Sequence, residues 1–148
     1  MAVIGKPFTA LTARDLMSDP VVAIPRHATL RAAAQVLARE RISGGPVIDA
    51  EARCVGILSA TDFLALWAGG QARGNDEVGR HMTADPVTAA PDTPLTDLAR
   101  MMIDAHIHRV IVVDEQATPV GIVSSSDILG AVAYAEEDQV KEGWNGDE

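Results

Sequence analysis

The sequence predicts an α/β fold built from two copies of one β-α-β-β-α unit. Three observations carry this. The stretch GILSATDFL at residues 56–64 returns as GIVSSSDIL at 121–129, 65 positions later, and such self-similarity at a fixed period is the mark of a repeated structural unit. Each copy places a helix-period apolar stripe before two apolar, β-branched runs. The chain is 47% hydrophobic but only 3% aromatic, so its core must be made of Val, Ile, Leu, Ala and Met. One copy of about 60 residues is marginal alone. Packing the two through their sheets about a pseudo-two-fold axis gives each apolar face a partner, and that is the expected architecture.

The elements follow in order. LMSDPVVAIP at 16–25 corresponds to HMTADPVTAAP at 81–91, with one extra residue before the second Asp-Pro. The apolar runs Val21–Ile24 and Val87–Ala90 between prolines read as short strands. Leu30, Ala33, Ala34, Leu37 and Ala38 match Leu95, Leu98, Ala99, Met102 and Ile103 at an offset of 65. Their i, i+3, i+4, i+7, i+8 spacing puts one stripe on a helix. Thr93-Pro94 marks the second helix start, with Thr93 as cap and Pro94 at the first helical position. Runs 45–48 and 55–58, and their counterparts 109–113 and 120–123, are joined by short polar connections and read as hairpins. A further helix runs from about Thr61 to Trp67, and again from about Ser126 to Ala135. Ala68-Gly-Gly-Gln-Ala-Arg-Gly-Asn-Asp between the copies is a flexible linker.

The bulk properties exclude several classes. The net charge is −9, and Ala135 to Glu148 holds six acids against one base. No basic face to grip a polymer backbone is suggested, so neither DNA nor RNA is an expected partner. The acidic end reads as a solvated tail without a partner. Cys54 is the lone cysteine, which rules out an intrachain disulfide or a cysteine zinc cluster. No apolar run approaches the length of a membrane span, and the N-terminus lacks a signal-peptide core, so a cytoplasmic protein is expected.

The double pattern resembles a tandem pair of cystathionine β-synthase (CBS) domains, a Bateman module. The resemblance covers roughly residues 10–135 and rests on the MxxDPV opening, the amphipathic helix, the (P/I)V(I/V)D strand and the GhhSx(S/T)D ending, in order and twice. It implies repeats at 8–68 and 78–135, a linker at 69–77 and an acidic tail at 136–148. It also implies a regulatory module binding an adenosine-containing ligand (AMP, ADP or ATP, or S-adenosylmethionine or NAD) in a cleft between the repeats, with no required cofactor.

The second copy, AHIHRVIVVDEQATPVGIVSSSDIL, is similar to the adenylate-sensing repeats in the regulatory subunit of AMP-activated protein kinase. That likeness implies phosphate contacts at His108 and Arg109, and phosphate and ribose contacts at Ser124, Ser126 and Asp127. Ile107, Ile122, Thr83 and Val87 are expected to line the same site. Ser59, Thr61 and Asp62 are their first-copy counterparts. There Ser43-Gly44 replaces His108-Arg109, so the phosphate grip is missing from that half.

The residues have a plainer explanation beside this one. Ser59 and Ser124 can cap the helices that follow while Asp62 and Asp127 reach back, a capping box. The second hydroxyls, Thr61 and Ser126, are not needed for that. Two hydroxyls at the positive end of a helix suit an anion, and a carboxylate suits the paired hydroxyls of a ribose. His106, His108 and Asp104 offer a partial metal set that no further ligand completes.

No nucleophile in an activating context, phosphate-binding Gly-rich loop or paired-carboxylate spacing points to an enzyme. Two readings remain: a ligand-sensing module signalling through its dimer or an effector protein, and a structural or protein-interaction module without a nucleotide. A homodimer is expected through Phe63, Leu66, Trp67, Leu129 and Tyr134 of the second helices.

Overall fold

The computed structural model describes residues 6–18, 21–70 and 73–134; the acidic tail lies outside the described residues. The two copies form the expected β-α-β-β-α series: β1 (Ile24–Pro25), α2 (Leu30–Glu40), β2 (Gly44–Ile48), β3 (Cys54–Ser59) and α3 (Ala60–Ala68), then β5 (Thr88–Ala89), α4 (Leu95–Ala105), β6 (Arg109–Val113), β7 (Pro119–Ser124) and α5 (Ser125–Tyr134). A short helix α1 (Ala13–Leu16) precedes the first copy. The short strand β4 (Thr83–Ala84) precedes the second, just after a 3-10 turn at Val78–Arg80. The sheets run β1-β2-β3-β4 and β5-β6-β7. In each, a two-residue strand lies parallel to the centre of the hairpin: Ile24 faces Val47, and Ala89 faces Val112.

Local chemistry explains the helices. Leu30, Ala33 and Leu37 of α2 are buried, as are Leu95, Leu98 and Met102 of α4, so each stripe faces its own sheet. Both helices stop at a left-handed residue, Arg41 (φ 57) and His106 (φ 55). The next N–H groups, of Ile42 and Ile107, turn back to the Leu37 and Met102 carbonyls at 3.0 Å, the Schellman way of satisfying terminal carbonyls. The two starts differ. Thr29 accepts a hydrogen bond from the Ala32 N–H at 3.0 Å, whereas Pro94 is itself the cap, extended at ψ 150 and without a side-chain bond. The second helix therefore starts one residue after the expected position.

The compact units do not coincide with the sequence copies. One unit joins the N-terminal segment to Val87–Asp114 and to the chain from Val120 onward; the other is Val21–Pro86 with Glu115–Pro119. Each unit thus takes its opening strap from the other copy. In the first unit, the Leu95 N–H donates to Leu11, the Ala13 N–H to Thr93 and the Arg14 N–H to Pro91, all at 2.9 Å. In the second, the Leu30 N–H donates to Asp76, the Val78 N–H to Ala28 and the Gly79 N–H to Arg26, all at 2.8 Å. Every member of the first set lies 65 residues from its counterpart in the second. The Leu95 and Leu30 bonds satisfy the first N–H groups of α4 and α2, which have no intrahelical partner, and the other four do the same for the starts of α1 and of the Val78–Arg80 turn.

The cores repeat the same exchange. Ile24, Leu30, Ala33, Leu37, Val47, Leu58 and Val78 are buried together, and Ala89, Leu95, Leu98, Met102, Val112, Val123 and Ala13 are buried in the other unit. The strap residues Val78 and Ala13 are within 0% exposure in both. Asp15 of α1 is the one buried charged residue among those described. Burial alone would raise its pKa, but the Lys6 ammonium at 2.7 Å and the Thr12 N–H at 3.0 Å outweigh that and hold it below the ordinary carboxylate value.

Two glycines admit the straps. A Cβ on Gly121 would fall 2.5 Å from Met17 Sδ and 2.8 Å from Met17 Cβ, and one on Gly56 would fall 2.4 Å from Met82 Sδ and 2.9 Å from the Thr83 carbonyl oxygen. Gly121→Ala is expected to destabilise the protein by about 1–3 kcal/mol, through overpacking against the Met17 side chain, down to its Cβ. Urea denaturation checks the value, and an unchanged midpoint would refute the contact. Residues 1–70 expressed alone lack the strap that completes their sheet and core. That fragment is expected to show no cooperative melting transition in circular dichroism.

Candidate functional site

The strands β3 and β7 deliver their last residue directly into a helix. Ser124 is extended at the end of β7, and α5 begins at Ser125. The Ser124 N–H donates to Asp127 Oδ2 at 2.7 Å, and the Asp127 N–H donates to Ser124 Oγ at 3.1 Å. In the first copy the Ser59 N–H donates to Asp62 Oδ2 at 2.9 Å, and the Asp62 N–H donates to Ser59 Oγ at 3.3 Å. The reciprocal capping box is therefore present in both copies. It fixes each carboxylate at the positive end of a helix. Only Oδ2 is committed: Asp127 Oδ1 has no hydrogen-bond partner among the described residues.

A second bond brings the His-Arg pair to the same corner. The Ser125 N–H donates to the His108 carbonyl at 2.9 Å, as the Ala60 N–H donates to the Ser43 carbonyl at 2.8 Å in the first copy. The start of β6 is thus pinned to the start of α5. His108 is exposed and Arg109 half-buried, while Ser126 offers an exposed hydroxyl on the first turn of the helix. The backbone of His108 thus lies beside a helix N-terminus that carries a carboxylate and two hydroxyls, groups chemically suited to a phosphorylated polyol.

The expected site residues divide between the units. Val87, Ile107, His108, Arg109, Ile122, Ser124, Ser126 and Asp127 belong to one; Ser59, Thr61, Asp62 and Thr83 belong to the other. Within the first group, Ile122 and Ile107 are half-buried, and the Val87 carbonyl accepts from the Ile111 N–H at 3.3 Å. Thr83 faces Ile57 across β3 and β4, in the first copy's corner. The residue that faces Ile122 is Ser18, whose N–H donates to the Ile122 carbonyl at 2.9 Å. Sequence reasoning did not single out Ser18. The signal was available, because Met17-Ser18 stands 65 residues before Met82-Thr83.

Other chemistry is weaker. Burial pushes the Cys54 thiol above its ordinary pKa, the opposite of what an activated nucleophile needs. Among the described residues no three His, Cys, Asp or Glu side chains gather to hold a metal ion, and no helix is long and apolar enough to cross a membrane.

The CBS domain matches this sequence twice, over residues 13–69 and 77–134. The chain belongs to the CBS-domain family. Among proteins of known activity it is 34% identical over 119 residues to an A-adding tRNA nucleotidyltransferase of Geobacter sulfurreducens, covering 80% of this chain and 13% of that protein. It is 32% identical over 111 residues to an inosine-5'-monophosphate dehydrogenase of Halobacterium salinarum, covering 75% of this chain and 22% of the dehydrogenase. The chain thus spans less than a quarter of either relative's length.

Solved CBS pairs are similar over nearly their whole length. The CBS domain pair of protein MJ0100, in complex with 5'-methylthioadenosine and S-adenosyl-L-methionine, superposes with a TM-score of 0.77 at 27% identity, over 84% of this chain and 97% of that one. CBSX2 in complex with AMP superposes with a TM-score of 0.73 at 27% identity, over 88% and 98%. A tandem CBS pair of two β-α-β-β-α repeats is thereby established for this chain.

Because both capping boxes share one geometry, Asp127→Asn and Asp62→Asn are expected to cost similar amounts, a few tenths to about 1 kcal/mol each. Paired urea melts of the two variants check this, and a much larger loss in only one would refute their equivalence.

Proposed function

We propose that this CBS pair is a regulatory module, not a catalyst, that binds an adenosine-containing ligand at the α5 corner of its second copy. An adenine nucleotide (AMP, ADP or ATP) fits the residues best, with S-adenosylmethionine or NAD as further members of the class. The supporting observation is the pinning of His108-Arg109 to the same helix start that holds Asp127, with one carboxylate oxygen uncommitted. In this reading Asp127 Oδ1 accepts from the ribose hydroxyls. The Ser124 and Ser126 hydroxyls and the α5 N-terminus meet phosphate together with His108 and Arg109. Ile107, Ile122, Val87 and Ser18 shape the adjoining wall. The complexes of MJ0100 with methylthioadenosine and S-adenosylmethionine and of CBSX2 with AMP support the ligand class.

The first copy's corner keeps Ser59, Thr61, Asp62 and Thr83 but has Ser43-Gly44 in place of the cationic pair. It accordingly takes a nucleoside more readily than a nucleotide.

The module works in the cytoplasm as a homodimer, and ligand occupancy is passed on through that dimer or to an effector protein. The helix faces favour such an assembly. Leu64 and Trp67 on α3 and Leu129, Val132 and Tyr134 on α5 are 49–79% exposed. Phe63 and Leu66, expected on the same face, are half-buried and pack against their own unit's core. The competing reading, a structural or protein-interaction module without nucleotide, is favoured by the capping boxes, which explain Ser59, Asp62, Ser124 and Asp127 without any ligand.

Calorimetric titration separates the two. Asp127→Asn is expected to weaken AMP by about ten- to a hundred-fold, because an amide keeps one acceptor and loses the charge-assisted bonds. Arg109→Ala should weaken AMP comparably and leave adenosine nearly unaffected, and Asp62→Asn should matter less. AMP affinity equal in wild type and Asp127→Asn would leave the capping box as architecture alone.

A further inference from the structure

The two straps match in backbone and differ in the side chains that fasten them. Their hydrogen bonds to the helix starts repeat at an offset of 65, as does the packing of Met17 over Gly121 and of Met82 over Gly56. In the N-terminal strap, Leu11, Ala13 and Leu16 are all buried in the core of their unit, at 1%, 0% and 2% exposure. Their counterparts in the strap of residues 73–84 are Asp76, Val78 and His81. Of these three, Val78 is the one in a hydrophobic core. Asp76 and His81 turn to each other instead. His81 Nε2 lies 3.0 Å from Asp76 Oδ2, with the side chains 19% and 23% exposed.

A polar pair thus stands where the other unit has two leucines. That difference decides which strap is held more firmly. Burying a leucine takes a whole apolar side chain out of water. A hydrogen bond that water can reach contributes far less, because water competes for both partners. Two further polar ties of this strap are exposed: His27 Nδ1 lies 3.1 Å from Glu77 Oε1, and the Arg73 N–H donates to Asp76 Oδ2 at 3.2 Å. The N-terminal strap has a better-covered tie in Lys6 and the buried Asp15, at 2.7 Å. Local opening starts where buried apolar contact is least.

The weaker strap also lies beside a candidate site. Met82 rests on Gly56 of β3, and Thr83 faces Ile57, two residues before Ser59. With Ser59, Thr61 and Asp62, Thr83 makes up the first-copy corner.

We propose that residues 73–84 form a gate at the first-copy corner, held closed by the Asp76–His81 contact and opening locally before the N-terminal strap does. Asp76 and His81 are positioning residues in this device, since they act through the strap that carries Thr83. A ligand that uses Thr83 binds the closed form, so occupancy of the corner and closure of the strap favour each other. The nature of that ligand rests on the nucleoside reading above; the opening of the strap does not.

Amide hydrogen exchange in the full-length chain tests this, comparing Val78, Gly79 and Met82 with their counterparts Ala13, Arg14 and Met17. All six N–H groups donate hydrogen bonds of 2.8–2.9 Å, so a difference in protection reports opening. After correction for intrinsic rates, exchange is expected to be about tenfold faster in the first three. Asp76→Leu with His81→Leu, which copies the other strap, should remove most of that difference, and His81→Ala should widen it. Melting temperatures confirm that each variant folds. Adenosine should slow the same three amides in wild type and do so less in Asp62→Asn. Equal protection of the two straps would overturn the proposal, as would exchange in both the double-leucine variant and His81→Ala that matches wild type. Adenosine that binds in calorimetry, at a site weakened by Asp62→Asn, without slowing these amides would overturn the gate. Adenosine that does not bind would remove the nucleoside reading of this corner, while the exchange difference and its response to the variants would still decide the opening of the strap.

Discussion

The exchange of opening straps is the constraint on which the structure rests. A CBS copy read along the sequence is an incomplete object. Its first helix begins with an N–H group that has no intrahelical partner, and its core lacks apolar side chains that the other copy's opening segment supplies. The missing parts come from the start of the other copy: Val78 and β4 complete the unit of Val21–Pro86, and α1 with Ser18 completes the other. Hydrogen bonds of 2.8–2.9 Å join strap to helix start in both. Helix start, sheet edge and core thus depend on one pairing. The glycines at 56 and 121 are required by the same pairing, because each lies under a strap methionine.

The candidate site inherits its geometry from this arrangement. A capping box sets the first turn of a helix, and it also points a carboxylate and a hydroxyl outward from a positive helix end. The proposed function asks one set of residues for both stability and recognition. The two uses remain compatible because Asp127 spends one oxygen on the cap and keeps the other. The difference between the copies lies at the neighbouring position, where Ser43-Gly44 stands against His108-Arg109 on an otherwise matched backbone. The fold repeats, and the charge does not.

What the sequence made legible was local. The stripe of α2 and α4, the hairpins and the Ser-x-x-Asp boxes follow from spacing and side-chain chemistry within about a dozen residues. What it hid was non-local. Two interchangeable Met-(Ser/Thr) segments open the two copies, and nothing in either says which sheet it joins; the packed units put Thr83 beside Ile57 and Ser18 beside Ile122. Phe63 and Leu66, half-buried on α3, meet a related limit. An apolar residue on a short helix can face its own sheet or a partner, and only the packed unit separates them. Pro94 shows the limit of terminus rules, because a proline can cap a helix as well as begin it.

The strap exchange also sets an order of events during synthesis. Domains tend to fold as they emerge, the N-terminal one first. Here Met17 and Ser18 pair with Gly121 and Ile122, which are made about a hundred residues later. The unit of Val21–Pro86 can assemble nearly whole while the N-terminal strap waits, its apolar Leu11, Ala13 and Leu16 uncovered. Long-range pairing of this kind slows folding because loop closure precedes its reward. The nascent chain therefore carries this apolar segment uncovered until Ile122 has been made.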